Sequence, residues 1–149
     1  MNGEHEKDGD DAAVLEQGVL DTSTVILLRR LADADALPAE PLITTVTLAE
    51  LSVGPHVTDD PRERAARQAH LQQAESDFVP LPFDVDAARA FGAVAASRRA
   101  GRKTSARTYD AMIAATALAN RLPVCTCNPD DFVGIDGLQV VAVPVPDVD

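Results

Sequence analysis

Short apolar runs alternate along this chain with longer stretches of helical period, and that alternation leaves few folds open. Val19-Leu20 ends a first run, and residues 25–31 after Asp21-Thr22-Ser23-Thr24 read as a helix with Thr or Ser at its cap. Residues 41–45 are a second strand, followed by a helix over 46–53 that Gly54-Pro55 stops. Asp59-Asp60-Pro61 opens a third helix, with proline in its first turn, reaching about residue 76. A short extended piece over 78–81 precedes a helix from about 84 to 100, which turns Ala87, Phe91, Val94 and Ala95 to one face. The helix expected over 108–122 is apolar nearly all round and therefore belongs inside the domain. Residues 123–127 form a further strand, and 140–145 a last one whose prolines place it at an edge. Strands and helices in this order predict a three-layer α/β/α sandwich around a mostly parallel sheet of four to five strands.

A length of 149 residues suits one such domain. Residues 1–17 read separately, as a disordered acidic tail: Glu4, Glu6, Asp8, Asp10, Asp11 and Glu16 stand there against Lys7, without an apolar period. The ordered domain is expected over 18–149. The longest uncharged runs, 111–120 and 137–146, are far shorter than the roughly 18 residues that a membrane-spanning helix requires. With no basic, apolar leader and with only Cys125 and Cys127, the expected setting is a reducing cytoplasm. Five aromatic residues, none of them Trp, speak against a stacking platform for single-stranded nucleic acid. The net charge of −11 is unevenly spread. Between Asp86 and Asp110 there is no acid, while Arg89, Arg98, Arg99, Arg102, Lys103 and Arg107 all lie there.

Ligands of open α/β sheets gather at the carboxyl ends of the strands, and acids fall at those ends here. Asp21 ends the first strand, Glu50 lies about one turn into the helix after the second, and Asp110 opens the buried helix. Asn128, Asp130 and Asp131 follow the strand at 123–127. Each has a local explanation as a helix cap or a dipole partner. Glu50 resists it, because Thr47, Leu48, Ala49, Leu51 and Val53 surround it and an unpaired buried charge is costly. Both lysines of the chain lie far from these positions in sequence. Converging carboxylates without a positive partner require a metal ion, and oxygen-only ligands suit Mg²⁺ or Mn²⁺.

Four motifs stand in order: Leu20-Asp21-Thr22-Ser23, Thr47-Leu48-Ala49-Glu50-Leu51, Tyr109-Asp110-Ala111-Met112-Ile113-Ala114, and Thr126-Cys127-Asn128-Pro129-Asp130-Asp131-Phe132. Together they resemble the PIN-domain ribonucleases, most closely the VapC-type toxins of bacterial toxin–antitoxin pairs. The resemblance implies a metal-dependent endoribonuclease acting on tRNA or rRNA, inhibited by a VapB-type antitoxin and dimeric. Asp21, Glu50 and Asp110 map onto the first three acidic positions. The fourth maps to Asp131, with Asn128 as a further oxygen ligand. Ser23 is expected beside the metal ligands, orienting metal or phosphate. Arg98, Arg99, Arg102, Lys103 and Arg107 are the expected phosphate contacts. Helices at 65–74 and 25–31 are the expected walls of an antitoxin groove. Cys127 stands where the family often has Arg. His5, His56 and His70 show no ligand spacing and are expected at the surface.

Two other classes compete. An aspartate at a strand end also accepts phosphate in phospho-transfer modules, but Ser23 stands where haloacid-dehalogenase-like enzymes need a second Asp. Receiver-like domains need a late lysine, and none follows Lys103. The other alternative is a catalytically inactive PIN-like binding module.

Overall fold

A computed structural model describes residues 15–31, 36–97 and 105–145. Strand β1 (Gln17–Leu20) runs directly into helix α1 (Thr22–Leu27), whose end tightens into a 3-10 turn at Leu28–Arg30. Strand β2 (Glu40–Leu42) leads to α2 (Thr45–Val53), a 3-10 turn at Gly54–Val57, α3 (Pro61–Asp77) and α4 (Val85–Ser97). Helix α5 (Ser105–Ala119) returns the chain to β3 (Val124–Thr126). A 3-10 turn at Pro129–Phe132 and strand β4 (Val140–Ala142) follow.

The four strands are parallel, in the order β2-β1-β3-β4. Period-2 alternation then divides the core. Val19 and Val124 face α4 and α5, packing with Val94, Ile113 and Ala117. Leu20 and Cys125 face the opposite way, against Val25 and Leu28 of the α1 segment. Ile43, Leu51 and Ala74 knit α2 and α3 onto the flank. The result is the expected α/β sandwich, with β4 at an edge and the 78–81 segment reduced to one parallel bridge, Leu81 to Thr44. β1 and β3 approach closely at Gly18, where a Cβ would stand 2.6 Å from the Cys125 Sγ.

Boundaries move relative to the sequence expectation: the second strand ends at Leu42 rather than 45 and the last at Ala142 rather than 145, and three further shifts bear on the site. The fold begins before residue 18, since the carbonyls of Leu15 and Glu16 accept hydrogen bonds from the Ala39 and Glu40 N–H groups at 2.8 Å. The remainder of the expected tail, residues 1–14, lies outside the described residues. Helix α1 begins at Thr22 rather than 25, because Asp21 is its extended N-cap and the Asp21 carbonyl accepts from the Val25 N–H at 3.1 Å. Helix α5 begins at Ser105, so Asp110 lies within it rather than at its start. A dipole role for Asp110 at the helix end loses its basis. Among the described residues no helix is long and apolar enough to cross a membrane.

Candidate active site at the carboxyl edge of the sheet

β1 has β2 on one side and β3 on the other, so the chain changes winding direction there and leaves a crevice at the carboxyl ends of β1 and β3. Asp21 sits in that crevice and is only 2% exposed. Its Oδ1 accepts from the Thr24 hydroxyl at 2.5 Å, and its Oδ2 from the Ser23 hydroxyl at 3.1 Å. Burial pushes its carboxyl above the usual carboxylate range, against hydrogen bonds from Thr24, Ser23 and Thr126 that pull it down.

Glu50 reaches the same edge from α2, a helix whose start is fixed by Thr44: its side-chain oxygen accepts from the Thr47 N–H at 3.2 Å. The Thr22 hydroxyl gives its proton to Glu50 Oε1 at 2.5 Å. Because that one proton is used, the buried Thr47 hydroxyl, 3.0 Å away, donates to Thr22. Burial raises the Glu50 carboxyl first, and the negative charge of Asp21 raises it further, while Thr22 lowers it. The two carboxylates therefore feel each other across the edge.

From β3 comes Asn128, whose side-chain N–H₂ donates to the Ser23 oxygen at 3.0 Å and so joins the post-β3 turn to Asp21 through one hydroxyl. In that turn Asp131 is half-buried and Asp130 exposed. Phe132 is 1% exposed and anchors the turn in the core. Asp110 is half-buried on α5, which packs against both α2 and the Pro129–Phe132 turn.

Asp21, Ser23, Glu50 and Asn128 are thus joined at one edge, and the elements bearing Asp110 and Asp131 pack around it. Among the described residues no three His, Cys, Asp or Glu side chains form a ready metal-binding group. The donor chemistry nevertheless fits a hard cation. Asp21 and Glu50 repel each other and are hydrogen-bonded, among the described residues, to neutral hydroxyls. Of the expected phosphate contacts, Arg98, Arg99, Arg102 and Lys103 lie outside the described residues, and of Arg107 only its place on α5 is described. His56 and His70 are exposed, as expected.

The threonines escaped the sequence reading. Among the described residues Thr24, Thr44, Thr47, Thr116 and Thr126 make up the buried polar set together with Asp21. Part of their signal was present: Thr22 and Thr24 stand within three residues of Asp21, Thr47 stands three before Glu50, and Thr126 ends β3.

Residues 18–138 match the sequence profile of the PIN domain family. The chain is a PIN-domain protein. Its matched span contains Asp21, Glu50, Asp110, Asn128 and Asp131, and the resemblance carried by the four motifs is borne out. Ribonuclease VapC5 of Mycobacterium tuberculosis is 39% identical over 129 residues, covering 85% of this PIN-domain chain and 93% of that protein. A Ribonuclease VapC of Rickettsia bellii is 30% identical over 132 residues, covering 87% and 98% respectively. The crystal structure of VapBC-5, a member of the VapBC family of toxin–antitoxin systems from Mycobacterium tuberculosis, superposes with a TM-score of 0.70. It has 37% sequence identity, and the match covers 87% of this PIN-domain chain and 99% of that one.

Proposed function

We propose that this chain is a VapC-type endoribonuclease toxin that cleaves cellular RNA of the tRNA or rRNA class with Mg²⁺ or Mn²⁺. The observation that carries this reading is the buried Asp21 carboxylate at the β1/β3 crevice, coupled to Glu50 and hydrogen-bonded to neutral hydroxyls. Asp21, Glu50 and Asp110 would hold the ion, with Asp131 as the fourth carboxylate and Asn128 beside it. The half-burial of Asp131 supports its choice over exposed Asp130. Such an ion, when bound, supplies a more acidic water and offsets charge on the phosphodiester. The chain's own side chains do the rest: Ser23, itself held by Asn128, holds Oδ2 of Asp21, while Thr47 and Thr22 in series hold Glu50. RNA backbone is drawn in by Arg98, Arg99, Arg102, Lys103 and Arg107. The purified chain is expected to cleave total tRNA and rRNA in Mg²⁺, to stop in excess EDTA, and to resume when Mg²⁺ or Mn²⁺ is restored. Full cleavage in EDTA overturns the metal reading, and no cleavage of any RNA in either metal overturns the nuclease.

A groove of about 400 Å³ between α1 and α3 supports the antitoxin part of the proposal. Val25, Leu28, Ala66 and Ala69 line it, with Arg29 and His70 among its polar lining, and exposed Ile26 opens onto it. These are the two helical segments expected as its walls. An apolar segment of a VapB-type antitoxin fits that lining, as an apolar face does in other helix grooves. Ala69→Arg is expected to weaken antitoxin binding by about 2 kcal/mol or more, the scale of an interface hot spot, as read by calorimetry. RNA cleavage by the free protein stays unchanged. Wild-type antitoxin affinity in Ala69→Arg would place the partner elsewhere.

A further inference from the structure

We propose that Thr24 is a positioning residue for the Asp21 carboxylate, tying its aim to the turn that follows β3. Thr24 lies one helical turn after Asp21 and is fully buried. Its Oγ1 accepts the backbone N–H of Cys127 at 2.9 Å and donates to Asp21 Oδ1 at 2.5 Å. A hydroxyl has one proton and two lone pairs, so an amide on one lone pair leaves the proton free for the carboxylate. The bond therefore has a fixed direction, from the post-β3 turn through Thr24 to Asp21. A second buried threonine repeats the pattern. Thr126 accepts the Asn128 N–H at 2.9 Å, and its hydroxyl side chain helps pull the Asp21 carboxyl down. Two successive backbone amides of one turn thus hold two buried hydroxyls, one of them donating directly to the carboxylate. Oδ1 is held by fully buried Thr24, and Oδ2 by half-buried Ser23. The Thr24 hydrogen bond thereby sets how the Asp21 carboxylate is turned.

The inference rests on the metal-carboxylate reading given above, and its test separates the two. Thr24→Val keeps the shape and removes the hydroxyl, while Thr24→Ser keeps the hydroxyl and removes a methyl. Mn²⁺ binding to the metal-free full chain is measured by calorimetry, beside its melting temperature and its cleavage over a range of Mn²⁺. Loss of a group that orients a metal ligand typically costs about 10- to 100-fold in metal affinity, and T24V is expected to show that loss. Its cleavage recovers as Mn²⁺ is raised, and T24S binds Mn²⁺ like wild type even where its melting temperature falls. If T24V does not fold, the comparison passes to Thr24→Ala against T24S, which differ by one oxygen. Wild-type Mn²⁺ affinity in the hydroxyl-free variant, or a loss in T24S as large as in that variant, overturns the positioning role. Asp21→Asn is measured alongside. If D21N binds Mn²⁺ normally, the metal reading itself has failed; if D21N alone loses Mn²⁺, only the role of Thr24 has.

Discussion

Asp21→Asn is expected to lower RNA cleavage by orders of magnitude and, in metal-free buffer at neutral pH, to raise the melting temperature. The two effects have one origin. Burial raises the Asp21 carboxyl above its ordinary value, so the folded state binds the proton more tightly than the unfolded chain does. The stability this group lends is fully present below its unfolded pKa and is lost as pH rises through the raised folded value. Above that raised value the ionised, buried carboxylate is therefore a destabilising charge, and Glu50 adds to it with a shift in the same direction. An amide keeps the shape, can still accept from Thr24 through its one oxygen, gives up the Ser23 hydrogen bond at the other position, and removes the charge. Each kilocalorie of relief corresponds to about 2–4 °C in a domain of this size. Added Mg²⁺ or Mn²⁺ should invert the order, stabilising wild type through linkage and leaving D21N almost unmoved. A metal-free D21N that melts below wild type would show that the carboxylate is well solvated or paired, and that the charge repulsion argued here does not exist.

Much of this site was legible because strand ends and acids coincide along the chain. Asp21 directly follows an apolar run, and Glu50 stands among apolar neighbours, so both marked themselves as charges in need of a partner. The long uncharged stretch after Asp110 announced a buried helix, and Ala111, Ile113, Ala114, Ala115 and Ala117 are buried. Helix starts were less legible. Thr22-Ser23-Thr24 have residue types that favour caps, yet Asp21 takes the cap position because its extended backbone ends β1. The threonine hydroxyls were hidden for a related reason. Thr is common both in strands and on surfaces, and only its partners across the β1/β3 crevice, more than a hundred residues apart in sequence, give it a role. Local pattern shows which charges need support; the supporting groups become visible once parallel pairing brings β1 beside β3.

Phe132→Ala is expected to destabilise the protein severely and to disorganise one wall of the site while every carboxylate is still present. Phe132 is 1% exposed and packs in the cluster that holds Val19, Val124, Ile113 and Ile135. Emptying such a position costs about 3–5 kcal/mol, from lost apolar transfer and the cavity left behind. Against a total stability of roughly 5–15 kcal/mol, that loss shows plainly as a lower midpoint in urea. The ring also ends the Pro129–Phe132 turn, which carries Asp131 and follows Asn128. Its loss frees a segment that reaches Asp21 through the Asn128–Ser23 hydrogen bond. The folded fraction of F132A should accordingly need more Mn²⁺ for half-maximal cleavage, whereas Asp130→Asn, at an exposed position of the same turn, should change neither midpoint nor metal requirement. Phe132→Leu keeps most of the apolar volume and is expected to fall between wild type and F132A in both measurements. A destabilised F132A with an unchanged Mn²⁺ requirement would mean that the turn keeps its place without its anchor, and that Asn128 and Asp131 are held by their hydrogen bonds alone.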